Sequence, residues 1–210
     1  MDRCNRLLAT CLLAALLATL GCATKVHIPP RVDLAAWHTI GLVEFSGDPE
    51  LLLRTLATRD FMQRLQAAQP GVRIVELGSQ QRVLREVGHG ELDFESARAI
   101  GERFEVDAVF VGDLDFSEVK PSVAVGRAFA SLEARVDVSG QAAAKLFETR
   151  SGATVWSRSS SASANVARIG LRYGVIPTFG ASDPSEVHAG LVHQLITDLT
   201  GDFYWRWEKQ

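Results

Sequence analysis

The chain has 210 residues, 47% of them hydrophobic and 22% charged, and its formal net charge is −3 at pH 7. This composition is typical of a globular protein with its own hydrophobic core. The 22 basic residues are interspersed among 25 acidic residues, whereas binding to a phosphate backbone needs concentrated positive charge. The composition therefore argues against nucleic acid as a partner.

The first 21 residues follow the pattern of a signal peptide. Arg3 and Arg6 supply a positive n-region, and an apolar run follows over residues 7–20. That run is shorter than the roughly 20 residues that span a bilayer as a helix, and it has the length of an h-region. A glycine and then Cys22 come next. This segment resembles bacterial lipoprotein signals, which end in a cysteine that becomes acylated.

The resemblance implies that residues 1–21 are removed and that Cys22 becomes the lipid-modified first residue of the mature protein. Two or three acyl chains hold a protein firmly at a membrane, because each buried methylene contributes about 0.8 kcal/mol. Ala23 differs from the aspartate that retains lipoproteins in the inner membrane of enteric-type bacteria, which implies the periplasmic face of the outer membrane. Two alternatives remain open: an uncleaved apolar N-terminus, and a secretory signal cut near Ala23.

Residues 22–37 are predicted to form a lipidated tether, because Pro29 and Pro30 favour an extended backbone. Residues 38–210 are then predicted to form a single domain. Its first half alternates strands and helices. In chain order the predicted elements are strand 39–45, a helix from Asp48-Pro49 to Gln69, strand 72–77, helix 79–87, a helix with Ala97, Ile100 and Phe104 facing inward, and strand 108–116.

The second half begins with a strict alternation of apolar and charged residues over 132–138, which predicts a strand with one solvated face. A bend or bulge is expected at Gly140, and the chain continues extended to Thr149. Ser151-Gly152 predicts a turn into a hairpin partner. The remaining predicted elements are a strand over 153–162, a long loop over 165–182 with four glycine or proline residues, and a last helix from Asp183.

The resulting order is β-α-β-α-α-β-β-β-α. Alternation followed by a hairpin predicts an α/β fold, a layered sandwich in which helices pack on a mixed β-sheet.

This order resembles that of a known family, the CsgG-type bacterial lipoproteins. The family includes the curli secretion channel, and the chain is also similar to penicillin-binding-protein activator lipoproteins and to the N-terminal domain of TolB. The likeness rests on TIGLVEF, GVRIVELGSQQRVLREV, ARAIGERFEVDAVFVGDLDF and ARVDVSGQAAAKLFETRSGATVWS. It implies an envelope lipoprotein that works through assembly or protein contacts. The sequence lacks a pair of clean ten-residue alternating segments of the kind that the family's channel members insert into membranes.

No residue pattern points to catalysis, a cofactor or a metal. Cys4 and Cys11 lie within the predicted signal, so the mature chain would keep Cys22 alone. His188 and His193 are five residues apart, whereas i,i+4 spacing suits a shared metal. Asp113 and Asp115 share one face of a strand, where a pair of carboxylates can do acid–base work but is more often solvated surface. The serine run after Trp156 has no nucleophile-elbow motif.

Four residues near the end of the sequence, Phe203, Tyr204, Trp205 and Trp207, form an aromatic cluster. Aromatic clusters anchor interfaces or lie at membrane surfaces, and they also cover core edges. We therefore treat the cluster as a candidate partner interface, with core packing as the alternative.

Three functions are compatible with these observations. The first is a non-catalytic envelope lipoprotein that binds another protein or itself, through a sheet edge or the aromatic cluster, as an assembly, secretion or cell-wall accessory factor. The second is a ring-forming secretion or transport component of the curli-channel type. The third is an envelope hydrolase with an unrecognised site.

Overall fold

The computed structural model describes residues 25–47, 51–117, 120–125, 131–172, 178–181 and 183–209. The chain forms two compact units. Of the described residues, those within 31–204 form the larger unit, and residues 25–30 and 205–209 form the smaller unit. The predicted signal, Cys22 and the predicted Asp48-Pro49 helix start lie outside the described residues.

Strands and helices alternate along the described chain as follows. The strands are β1 (Lys25–Ile28), β2 (Ile40–Glu44), β3 (Ser46–Gly47), β4 (Ile74–Ser79), β5 (Ala108–Phe116), β6 (Lys120–Val125), β7 (Ser131–Glu148), β8 (Thr154–Arg172), β9 (Thr178–Ala181) and β10 (Arg206–Lys209). The helices are α1 (Leu51–Ala68), α2 (Gln80–Val87), α3 (Phe94–Phe104) and α4 (Pro184–Thr200), with 3-10 turns at Leu34–Ala36 and Gly201–Phe203.

The larger unit is built on a mixed sheet with the strand order β4-β2-β5-β7-β8-β9. Strands β4 and β5 run parallel to β2, while β5, β7, β8 and β9 pair antiparallel in succession. The short strands β3 and β6 pair with β5 and β7. The predicted α/β fold with a mixed sheet packed by helices is confirmed.

Helices cover the sheet on both faces around β2 and β5. One face packs against α1 and α4, where Phe61 and Leu195 meet Leu42 and Phe110 of the sheet. The other face packs against α2 and α3 in a separate buried cluster formed by Val43, Leu77, Val83, Ala97, Ile100, Val106, Val109 and Phe147. This arrangement explains the uninterrupted apolar runs at the start of β2 and β5, because strand segments buried on both faces have no polar side.

Strands β7 and β8 form a hairpin much longer than the sequence predicted. They pair from Phe147 and Thr154 at the turn to Ser131 and Arg172 at the far end. The prediction of a loop over 165–182 is wrong for residues 165–172 and 178–181, which lie in β8 and β9. Gly140 pairs within the ladder, and the register shifts lie between Val136 and Asp137 and between Leu146 and Phe147. Long-range pairing has overridden local turn propensity there.

Residues 31–37 belong to the larger unit, whereas the sequence placed them in a tether. Leu34 is fully buried in the α1–α4 cluster. Its backbone N–H donates to Oε1 of Gln69 at 2.7 Å, and Nε2 of Gln69 donates to the carbonyl oxygen of Val32 at 2.7 Å. This reciprocal contact fixes the segment to the end of α1, so only residues before Arg31 remain for a tether.

Candidate interaction surfaces

The described chain begins three residues after Cys22, the predicted acylation site. Lys25–Ile28 forms β1, which pairs antiparallel with β10 in a two-stranded ribbon. We call this pair the terminal ribbon. The segment predicted to be an extended tether therefore contains a paired strand.

The terminal ribbon carries two exposed tryptophans on one face. His27 lies directly opposite Trp207 in the register. The imidazole stacks on both Trp205 and Trp207, with ring centroids 4.4 Å apart in each case. The indoles remain 53% and 67% exposed. This aromatic face, consisting of His27, Trp205 and Trp207, therefore presents a large apolar surface to its surroundings.

The other two members of the predicted aromatic cluster lie in the larger unit. Phe203 is fully buried, and its ring centroid is 4.8 Å from that of Trp156 and 5.7 Å from that of Phe110. Tyr204 is partly buried, and its hydroxyl donates to the carbonyl oxygen of Arg64 at 3.1 Å. Phe203 thus belongs to the core, which is the alternative left open by the sequence, and the four residues do not form one surface.

The hairpin half of the sheet has one solvated face, which we call the open face. It is formed by every second residue of β5, β7 and β8, since alternate side chains point to opposite faces. Its exposed side chains are Asp113, Asp115, Gln141, Lys145, Ser157, Ser159, Ser161 and Ser163. Ser159 lies opposite Ala143 and Ser161 lies opposite Gln141. Every second residue of the serine run after Trp156 therefore lines a polar surface.

Asp113 and Asp115 lie together on the open face, as the sequence predicted. The pKa of the Asp113 carboxyl is raised above its ordinary value, mainly because partial burial disfavours the charged form. The positive charge of Lys145 opposes this rise, and the negative charge of Asp115 adds to it. A shallow hollow of about 300 Å³ lies beside Asp113 and is lined by Gln141 and by hydroxyls of the serine run. The arrangement offers hydrogen-bond donors and acceptors to a bound chain.

A second hollow lies at the carboxyl ends of β2 and β4, where ligands often bind in α/β sheets. It has a volume of about 550 Å³, and its lining includes Glu44, Arg54 and Ser79. The Nε atom of Arg54 is buried and has no hydrogen-bond partner among the described residues. Oε1 of Glu44 accepts a hydrogen bond from the hydroxyl of Thr55 at 3.3 Å. No sequence pattern pointed to Arg54, which lies beside the apolar stripe of α1.

A buried carboxylate joins the start of β8 to the end of α4. Nη1 of Arg158 lies 2.6 Å from Oδ1 of Asp202, and Nε1 of Trp156 donates to Oδ2 at 3.3 Å. Nη1 of Arg31 lies 3.6 Å from Oδ1. Burial raises the pKa of Asp202, but hydrogen bonds from Arg158 and Trp156 and the charges of both arginines outweigh it, so the pKa falls below its ordinary value. This network is structural and has no counterpart in the sequence predictions.

The two histidines of α4 have separate partners. His193 contacts α1, with Nδ1 at 3.2 Å from Oδ2 of Asp60 and Nε2 at 2.9 Å from Nη2 of Arg64. His188 packs edge-on against Phe116 at 5.2 Å between ring centroids. Within the described ranges, no three His, Cys, Asp or Glu side chains are grouped closely enough to hold a metal ion.

None of the helices in the described part of the chain has both the length and the hydropathy required to cross a membrane.

No family model matches the sequence, and no curated protein matches it significantly. Several solved structures are similar. A homolog of the neuraminyllactose-binding hemagglutinin from Helicobacter pylori has 12% identity and a TM-score of 0.45, covering 78% of this chain and 83% of that chain. The PelC dodecamer from Paraburkholderia phytofirmans has 14% identity and a TM-score of 0.40, covering 88% and 99%. Lipoprotein GNA1162 from Neisseria meningitidis has 17% identity and a TM-score of 0.37, covering 60% and 83%. The structures similar to this chain thus include a bacterial lipoprotein.

Proposed function

We propose that this protein is a lipid-anchored lipoprotein of the bacterial envelope that acts through protein–protein contacts and without catalysis. Acylated Cys22 is its anchor, on the periplasmic face of the outer membrane. The positive n-region, the apolar run over residues 7–20 and the glycine before Cys22 support the anchor. The contact surface that we assign is the outer edge of β8.

The edge of β8 is the observation that carries the proposal. On one side β8 pairs with β7 along its whole length. On the other side β9 pairs only with residues 167–170. Among the described residues, no strand pairs with this side of β8 from Thr154 to Val166. A row of unpaired backbone N–H and C=O groups is a template onto which a strand of another chain can add.

The polar side chains beside this edge suit a reversible contact. Ser157, Ser159 and Ser161 are exposed on the open face next to the edge. Strand addition derives its affinity from main-chain hydrogen bonds and its specificity from the alternating side chains. Small hydroxyls let a partner approach closely, and the charge of Lys145, which lies opposite Ser157 on β7, can select its sequence.

Cross-linking in cells tests the contact surface. A photoreactive residue would replace Ser159 or Ser163 beside the β8 edge, with Glu102 on α3 as the exposed control position. We expect the same partner species from both β8 positions and not from the control, identified by mass spectrometry. Adducts that form equally at all three positions, or at none of them, would contradict the assignment.

Acylation and catalysis are tested separately. A fatty-acid label should be incorporated into the wild-type protein and lost in Cys22→Ala cells. The purified protein should hydrolyse neither nucleotides nor peptides. Hydrolysis that disappears in Asp113→Asn would overturn the non-catalytic proposal and support the envelope hydrolase.

The ring-forming alternative has one observation in its favour. Within the described residues β4 pairs only with β2, so its outer side is a second free edge. Pairing β4 of one copy with β8 of the next is a head-to-tail contact, which closes into a ring when the rotation permits. Native mass spectrometry of detergent-extracted protein distinguishes the two functions. A ring former gives one large, fixed multiple of the protomer mass, whereas a protein that binds a different partner gives one copy, alone or together with that partner.

A further inference from the structure

The aromatic face of the terminal ribbon is unusual in combining high exposure with fixed geometry. His27 holds both indoles by stacking, so Trp205 and Trp207 are pre-arranged on one face while most of their surface stays accessible. Lys25 lies on the same face, because residues two apart in a strand point the same way, and its side chain is exposed. The face therefore joins apolar rings to a positive charge.

The position of the ribbon in the chain limits where this face can lie. Ala23 and Thr24 are the only residues between Cys22 and Lys25. An extended chain advances at most about 3.6 Å per residue, so Lys25 lies within about 11 Å of the Cys22 Cα atom and His27 within about 18 Å. The headgroup region of one leaflet is roughly 5–8 Å thick, as the difference between the full bilayer and its hydrocarbon core. A ribbon tied this closely to acylated Cys22 has its near end at the membrane surface.

We propose that the aromatic face of the terminal ribbon is seated in the headgroup region of the membrane that holds the Cys22 acyl chains. This inference rests on the proposed lipid anchor. Indole rings concentrate at membrane–water interfaces because they have an apolar body and a polar N–H. Lys25 faces the anionic headgroups, which attract basic residues near the surface. The acyl chains supply attachment, and the indoles fix the orientation of the ribbon.

Depth-dependent fluorescence quenching tests this seat. The acylated protein would be reconstituted in phosphatidylethanolamine–phosphatidylglycerol vesicles, with and without brominated acyl chains, after its intact mass has confirmed acylation of Cys22. We expect brominated lipid to quench part of the tryptophan emission. The double variant Trp205→Phe/Trp207→Phe should lose most of this quenchable part, because Trp156 is buried and Trp37 is partly buried in the larger unit.

A matched control introduces an exposed tryptophan in the larger unit, outside the aromatic face. Phe94 is 58% exposed at the start of α3. In the double-variant background, the indole of Phe94→Trp should be quenched by aqueous acrylamide and not by brominated lipid. Quenching of this indole by brominated lipid would overturn the inference, since it would show unspecific adhesion of the protein to the bilayer.

The remaining outcomes show whether the membrane position of the aromatic face is wrong or the acylation of Cys22 is wrong. In one outcome, the protein is acylated, but acrylamide quenches Trp205 and Trp207 and brominated lipid does not. This result would overturn the membrane position of the aromatic face and leave the anchor intact. Shielding of these indoles from both quenchers would also overturn that position, because a second copy would then cover the aromatic face. An intact mass without added acyl chains would overturn the anchor and the seat together.

Discussion

The two halves of the sheet differ in the number of faces that they bury. In the half formed by β4, β2 and β5, Leu42 packs into one helical layer and Val43 into the other. In the hairpin half, Ala142 packs toward α4, while its neighbour Gln141 is exposed on the open face. The covered half therefore carries most of the hydrophobic stabilisation, and the open half exposes polar side chains on one face of the sheet. Four pairs of substitutions test the packing of the two halves, in order of decreasing expected effect.

The largest effect is expected for Phe110→Ala in the covered half. Phe110 is almost completely buried, and its ring contacts those of Phe61, Trp156 and Phe203. Truncation leaves a cavity and should lower the free energy of unfolding by about 3–5 kcal/mol. The measurement is urea denaturation followed by circular dichroism. The same truncation at exposed Phe94 should cost less than about 1 kcal/mol, and equal losses at the two sites would contradict the division.

Asp202→Asn should lower the free energy of unfolding at neutral pH by about 2–3 kcal/mol, because it leaves Arg158 without its buried counter-charge. The pKa of Asp202 is lowered in the folded state. Its contribution is therefore present above the unfolded pKa of about 3.9 and is lost as the pH falls through the folded pKa. Melting temperatures of wild type and variant should converge in acid.

Asp198 provides the matched control for Asp202. It accepts a hydrogen bond from the hydroxyl of Ser160 at 3.3 Å in an exposed position. Asp198→Asn should change the free energy of unfolding by less than about 0.5 kcal/mol at any pH. A gap between wild type and Asp202→Asn that stays constant with pH would show that ionisation of Asp202 is not the cause.

Gly112→Ala should cost about 1–3 kcal/mol, because the added Cβ overpacks the covered half. It would collide with Cε1 of Phe45, whose ring is held in the core. Gly90→Ala is the control, because nothing lies within 4 Å of a Cβ there. Thermal denaturation of both variants gives the comparison, and a neutral Gly112→Ala would mean that Phe45 has room to move.

The smallest effects are expected for the substitution of serine by alanine, made once in each half. Ser96 is fully buried and forms a reciprocal cap with Asp93 at the start of α3, with both hydrogen bonds at 2.8 Å. Ser96→Ala should cost about 1 kcal/mol. Ser161→Ala on the open face should stay within about 0.5 kcal/mol of wild type. Denaturant midpoints measure both, and a costly Ser161→Ala would show that the open face contributes to folding.

The covered half was predictable from sequence because burial on both faces leaves continuous apolar runs. The strand predicted over 108–116 coincides with β5, and the strand predicted over 39–45 contains β2. The far end of the hairpin was missed because the sequence from 165 to 182 contains three glycines and one proline, which favour turns locally. Pairing with β7, which is distant in sequence from residues 165–172, determines their conformation.

The interaction surfaces were only partly predictable. The sequence identified Trp205 and Trp207 as aromatic, but nothing in it linked them to His27, since a stack across two strand ends has no periodic signal. The buried pair of Arg158 and Asp202 is equally non-local. Such contacts follow from tertiary packing, whereas only alternation, caps and turns can be predicted from residues that are neighbours in the sequence.

The terminal ribbon has a consequence for the order in which contacts form during synthesis of the chain. His27 and Trp207 are 180 residues apart in the chain, so at a synthesis rate of about 5–20 residues per second the histidine emerges roughly 10–40 s before its stacking partner. The aromatic stack cannot form during that interval. A chain truncated before Trp205 would carry β1 without its pairing strand and without the two indoles on which His27 stacks.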